Sequence, residues 1–263
     1  MNIALGVEYD GNAYCGWQRQ SHSPSVQQNL EQVLATIANH PVSVYCAGRT
    51  DTGVSATGQV VNFKLDNPRP LKAWHMGANT LLPDDISIRW AEEMPDDFHA
   101  RHSATARRYR YVIQNTHYQC ATLSGKVTWY RPPLEADKMN LAAQALPGEQ
   151  DFSSFQASSC QSSTPFRFIK AITVSRWHEF VIIDICANAF LHHMVRNIVG
   201  CLLEIGCGRQ PVEFARSVLA LRDRSKAPMT ARPEGLYLVS VEYPQQYKLP
   251  VMPLGPLMLP DLF

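Results

Sequence analysis

No stretch of this 263-residue chain approaches the roughly 18 to 20 consecutive apolar residues that a membrane-spanning helix needs. Its opening, Met1 to Asp10, lacks a basic leader and meets an acid at Glu8, so the chain reads as cytoplasmic, with no membrane partner. Seven cysteines, at 15, 46, 120, 160, 186, 201 and 207, include no Cys-x-x-Cys pair. An odd, scattered set suggests neither a disulfide framework nor a zinc site, and reads as reduced thiols. His192-His193 is the one histidine doublet; a zinc-binding helix would need an acid after the first imidazole and another imidazole four places on, where Arg196 stands. No metal is implied. A formal charge of +1 gives no global signal for a polyanionic partner.

The distribution of charge says more than its sum. Residues 101 to 110 carry four arginines, Arg101, Arg107, Arg108 and Arg110, and no acid, while residues 92 to 97 are acidic. A local cationic face follows, and these arginines are candidates to grip phosphates, because a guanidinium matches phosphate in a bidentate way.

Ile3, Leu5, Val7 and Tyr9 alternate, which predicts a strand with one buried face, ended by Asp10-Gly11-Asn12. Ser25 with Gln28 makes a capping box, and Val26, Leu30, Val33, Leu34 and Ile37 follow at helical spacing, predicting a helix over about 25–39. Short alternating runs return near 42–46, 61–65 and 86–90, with a second helical pattern opening at Pro70. From 106 the pattern restarts. It gives a strand through Tyr109, a helix near 136–146, strands near 168–177 and 180–187, helices over 188–206 and 211–222, and a last strand over 236–243.

Both halves read β-α-β-β-α-β. The fold class is therefore α+β: two ferredoxin-like, RRM-like halves, each with helices on one face of an antiparallel sheet, related by a pseudo-twofold with a catalytic cleft between them. The expected division is 1–97, 104–246 and an extended arm over 247–263.

Asp51-Thr52-Gly53 spells the triplet of aspartic proteases. Such an enzyme needs two carboxylates sharing one proton. This chain has no second triplet, and Arg49, two residues before the acid, favours its ionised form. Read alone, Asp-x-Gly between two strands is also ordinary turn chemistry.

The wider text decides. Gly48-Arg49-Thr50-Asp51 with Gly53-Val54 and Ala56-Thr57-Gly58-Gln59-Val60 resembles the catalytic loop of the TruA family of tRNA pseudouridine synthases. The resemblance runs across nearly the whole chain, through Glu8-Tyr9-Asp10-Gly11, Gly16-Trp17-Gln18-Arg19-Gln20, Phe98-His99-Ala100-Arg101, Ala106-Arg107-Arg108-Tyr109-Arg110-Tyr111, Asp151-Phe152-Ser153-Ser154-Phe155, His192 to Gly200, and Glu234 to Leu238. It implies an isomerase acting on uridines 38, 39 and 40 of the tRNA anticodon arm, working as a homodimer. It implies that Asp51 is the essential acid, that Tyr109 stacks on the target uracil, that Arg196 pairs with the acid, and that Arg49 extrudes the target base. The family usually has histidine where Ser55 stands, which removes an imidazole and leaves a hydroxyl. A rival reading, an RNA-binding module without catalysis, rests on that departure.

The reaction suits these residues. Uridine isomerisation breaks the N1–C1′ bond, turns the base, joins C5 to C1′ and needs no cofactor. A carboxylate beside the sugar serves as nucleophile or base, and extruding the base costs roughly a few kcal/mol, offset by stacking and phosphate contacts.

Overall fold

The computed structural model describes residues 1–66 and 69–259. In chain order its elements are β1 (Asn2–Tyr9), α1 (Val26–Ala38), β2 (Tyr45–Cys46), β3 (Ser55–Lys64), a π-helical turn (Ala73–Gly77), β4 (Ile86–Met94), β5 (Ala106–Gln114), β6 (Thr128–Trp129), α2 (Ala136–Ala143), β7 (Gly148–Asp151), β8 (Phe166–Trp177), β9 (Phe180–Ala187), α3 (Met194–Gly206), α4 (Phe214–Leu221) and β10 (Leu236–Glu242). The class is mixed α+β. Every strand pair whose register is resolved is antiparallel except β10 with β3 and β5 with β6. Two compact units emerge: Met1–Arg107 with Tyr237–Phe263, and Arg108–Leu236.

In the first unit β1 lies between β3 (Ile3 opposite Phe63, Leu5 opposite Val61) and β4, and β2 joins the other side of β3, giving the order β4-β1-β3-β2. α1 forms because its apolar residues recur at helical spacing and because Ser25 caps it, the hydroxyl accepting the Gln28 N–H at 3.3 Å. It ends at Asn39, which takes the left-handed conformation at φ 60°. The helical pattern after Pro70 appears as a π-helical turn whose Trp74 meets Phe63 edge-on, ring centroids 5.2 Å apart.

β1 departs from the one-sided burial that its alternation predicts: Asn2 through Val7 are all buried. Its second face is lined by small residues under large ones. Ala4 packs in a cluster with Val60, Met94 and Phe98, on which Trp90, Val241, Tyr243, Tyr247 and Leu249 lie. At Gly6 a Cβ would stand 2.1 Å from the Trp90 indole, so glycine is what lets that ring cover the strand. The second layer is supplied by residues distant in sequence, from β4 and Phe98 and from 241–249, which periodicity within β1 cannot reveal.

In the second unit the strand order is β5-β9-β8-β7, with β6 paired to β5. α2 packs on β8 and on α3. α3 is apolar nearly all round and buries Met194, Val195, Ile198, Val199, Leu202 and Ile205. It begins at Met194 rather than at 188, because His193 takes a left-handed conformation (φ 61°) that cannot continue a helix backwards. Asn188 is spent in the preceding turn, its side-chain oxygen accepting the Phe168 and Ala189 N–H groups.

The most demanding charge arrangement in this unit is Asp184. Its carboxylate receives Arg108 at 2.6 and 2.9 Å and Arg110 at 2.8 Å, and the Arg110 side chain is 0% exposed. Taking the carboxylate from a wholly buried guanidinium is costly, so Asp184→Ala should lower unfolding free energy by about 3–5 kcal/mol. Ser25→Ala, which removes only a cap, should cost about 1 kcal/mol. Urea titrations of both variants, followed by far-UV circular dichroism, check the ranking.

Candidate active site

Asp51 sits on the loop that joins β2 to β3, and nearly every residue of that loop is tied down. At its start the Ala47 N–H donates to the Val60 carbonyl at 2.8 Å. The wholly buried Gln59 then clasps Gly48 from both sides, donating to its carbonyl at 2.6 Å and accepting its N–H at 3.4 Å. Thr50, buried immediately before the acid, receives the Trp17 N–H on its carbonyl at 3.0 Å and meets the Tyr9 hydroxyl through its own at 2.8 Å. On the far side the Val54 N–H closes a turn onto the Asp51 carbonyl at 3.1 Å, with Gly53 at φ 76°.

This seat explains two motifs that lie far from the loop in sequence. Gly16 has φ 92°, and a Cβ there would stand 2.8 Å from the Thr50 carbonyl oxygen; the chain passes under Asp51 only as glycine. At Gly11 a Cβ would come within 2.1 Å of the Val54 oxygen. The Gly11 N–H donates to the Ser55 hydroxyl at 3.0 Å, and that hydroxyl reaches Asp10 at 3.5 Å. Ser55 is buried, so its hydroxyl holds the Asp10-Gly11 turn against the start of β3. Beneath them Tyr14 donates to Asp85 at 2.5 Å, and burial with that carboxylate pushes the phenol above its usual pKa. Asp51 itself is half-buried, while its neighbours Arg49 and Thr52 are exposed.

The arginines of residues 101–110 divide into separate uses. Arg101 is exposed. Arg107 turns inward and donates to the carbonyls of Ala47 at 2.9 Å, Arg101 at 2.7 Å and Ala104 at 3.2 Å, bracing the start of the acid-bearing loop. Arg108 and Arg110 engage Asp184; a third of Arg108 remains exposed. Within the first unit, Arg49, Arg101 and Arg107 all act electrostatically on Cys46, whose thiol burial nevertheless pushes up to about 12.

Tyr109 and Arg196 belong to the second unit. Tyr109 is 8% exposed, its ring edge-on to Phe190 at 5.1 Å and 85°. Two residues on, Tyr111 is anchored by Thr128 at 2.6 Å and by the Arg232 carbonyl at 2.8 Å. Arg196, in the first turn of α3, donates Nε to the Ala231 carbonyl at 2.8 Å, and the Ala231 N–H returns a bond to the Arg196 carbonyl at 3.1 Å. α3 can approach 229–231 closely because a Cβ at Gly200 would fall 2.0 Å from the Met229 oxygen. His192 is exposed and meets the Ser159 hydroxyl at 3.1 Å, with the His193 ring 4.0 Å away.

Two supports were not singled out by sequence reasoning: Asp184 and Phe190. Asp184 had a readable signal, since an acid inside the apolar alternation of β9 implies a buried cation nearby.

The family model described as tRNA pseudouridine synthase matches residues 6–103 and 142–244, which include the whole acid-bearing loop and α3. A protein named tRNA pseudouridine synthase A from Shewanella sp. (strain MR-4) is 58% identical over 261 residues, 99% of this chain and 100% of that one. Another of that name, from Shewanella baltica (strain OS195), shows the same identity and coverage. With the matched segments spanning most of its length, the chain belongs to the tRNA pseudouridine synthase family.

Proposed function

We propose that this protein isomerises uridine to pseudouridine at positions 38, 39 and 40 of the tRNA anticodon arm, with Asp51 as the catalytic carboxylate. The observation that carries the assignment to Asp51 is the seat of its loop: Gln59 at Gly48 and Trp17 and Tyr9 at Thr50 hold the chain before the acid, and the Gly53 N–H to Tyr14 and the Val54 N–H to Asp51 hold it after, while the acid stays half-open to solvent. A group that must meet a ribose within tenths of an ångström needs such a support.

In the reaction the N1–C1′ bond breaks, the uracil turns, C5 bonds to C1′, the C5 proton leaves to water and N1 takes one up. Composition and redox state are unchanged. Asp51 acts at the ribose as nucleophile or base. Tyr109 stacks on the extruded uracil, Arg196 pairs with the carboxylate, and Arg49, exposed beside the acid, fills the gap the base leaves. Phosphates fall to Arg101 and the open part of Arg108. Arg107 and Arg110 hold the loop and the strand from which those groups project. Recognition through shape and backbone suits such a set, because folded RNA exposes few base edges.

The same reading extends to assembly. We propose two ferredoxin-like halves, supported by the strand order β4-β1-β3-β2 in the first unit and β5-β9-β8 in the second. The enzyme works as a cytoplasmic homodimer on one tRNA.

Tritium at C5 of anticodon-arm uridines gives a direct test. Wild-type protein should release it to water, and Asp51→Asn should slow release by about 10⁴-fold or more while tRNA affinity changes little. Release by Asp51→Asn at the wild-type rate removes the acid from the chemistry; no release by wild type removes the isomerase reading. Ser55→Ala should lower turnover and cost about 1–3 kcal/mol of stability, since it strips the acceptor from the Gly11 N–H. Single-turnover kinetics beside thermal unfolding separate the two effects.

A further inference from the structure

On the first unit, three rings make a short file at the surface. Tyr45 lies 4.8 Å from His99, and His99 lies 4.3 Å from His102, centroid to centroid. Tyr45 is 54% exposed, standing on the two-residue strand β2 where it pairs with Asn62.

The loop behind these rings is unusually well anchored. The buried Asn2 donates to the Pro95 and Phe98 carbonyls, each at 2.9 Å, and the buried Asn62 accepts the Ala100 N–H at 2.9 Å. Tyr243 donates to the Ala100 carbonyl at 2.6 Å, and Arg107 to that of Arg101 at 2.7 Å. Ser103 and His99 exchange two further bonds, at 3.0 and 2.9 Å. Two buried asparagines spent on one surface loop hold it in a single conformation, and a rigid aromatic loses little entropy on binding.

The electronic state of the middle ring is also fixed. His99 Nδ1 accepts the Arg101 N–H at 3.1 Å and the His102 N–H at 3.4 Å, which places its proton on Nε2 and leaves the ring neutral. Burial, then His102 and Arg101, hold its pKa below the ordinary value. A neutral imidazole between two aromatic neighbours is a stacking surface rather than a charge. One exposed cation, Arg101, acts on this ring, and Arg49, Arg101 and Arg107 act on Cys46, the residue after Tyr45. Asp96 and Asp97, also exposed, begin the same loop, so the patch has no large net charge and the rings carry the discrimination.

We propose that Tyr45, backed by His99 and His102, is a base-stacking platform that takes an unstacked base of bound tRNA other than the reacting uridine. Stacking of bases on aromatic side chains is one way proteins hold single-stranded nucleotides, and it tolerates any base because every base has a π-face. The inference rests on the RNA-acting reading above, but its test is binding and is independent of turnover.

The probe is an unmodified tRNA transcript with uridine in the anticodon arm, titrated by fluorescence anisotropy at several salt concentrations. Tyr45→Ala should weaken binding by about 5- to 20-fold, the lower range for loss of one base-on-ring stack, with an unchanged salt slope. Tyr45→Phe should bind as wild type, because the ring does the stacking. Arg101→Ala should instead reduce the slope by about 0.7 to 1, as loss of one phosphate contact does. If Tyr45→Ala, folded by circular dichroism, binds within twofold of wild type, or if Tyr45→Phe weakens as much as Tyr45→Ala, the platform does not exist. Tritium release by the same preparations reports the isomerase reading separately.

Discussion

The backbone hydrogen bond from Trp17 to Thr50, 3.0 Å long, is the constraint on which the acid's position depends. A surface loop is expensive to order, at about 1–2 kcal/mol per residue in backbone entropy, and the residues from Ala47 to Val54 form no helix or sheet of their own. Their order is borrowed from neighbours. Trp17 is 1% exposed and meets Tyr9 at 5.7 Å, so the donor to Thr50 is fixed by a large buried indole. Hydrophobic burial at position 17 is thereby converted into placement of the carboxylate one residue beyond Thr50. Gly16 is the condition for that conversion, since any Cβ would push the indole's backbone away from the loop.

Arginine serves two opposed ends in this chain, and burial decides which. Arg110, enclosed and paired with Asp184, is a structural cation whose removal from water is offset by a carboxylate shared with Arg108. Arg107 satisfies carbonyls that the bends around Ala47, Arg101 and Ala104 leave without strand partners. Arg49 and Arg101 remain exposed. Alternation along β5 explains part of the division: Arg108 and Arg110 share one face and find the same acid, while Tyr109 points to the other, toward Phe190.

Local periodicity and turn chemistry make most elements of the fold legible in the sequence. α1 lies within the span set by its capping box, and the strands near 86, 106, 168 and 180 occur where alternation placed them. What was illegible depends on partners distant in sequence. β1 reads as half-buried because Ala4 and Gly6 are small, yet they are small in order to admit Met94, Trp90 and Tyr243. α3 reads as starting at 188 because apolar residues continue upstream, whereas the left-handed backbone at His193 sets its start. For the site, motifs pointed to Asp51, but spacing could not separate arginines that face solvent from arginines that hold the loop, since the two differ only in what lies across from them.

At position 55, where the family resemblance implies a histidine, serine holds the Asp10-Gly11 turn through hydrogen bonds of its own. Its side chain must do two things in a buried space: accept the Gly11 N–H and face the Asp10 carboxylate as a donor. A hydroxyl has both capacities in one atom, and a neutral imidazole divides them between two nitrogens. Serine therefore keeps the hydrogen-bond count and gives up volume. The backbone of residue 55 is fixed by parallel pairing with Tyr237 of β10. What the imidazole would add, a charge that titrates near neutrality, has no counterpart at Ser55. The seat of Asp51 in this chain thus lacks a titrating group at position 55, and the Asp10-Gly11 turn holds to β3 through a neutral donor and acceptor.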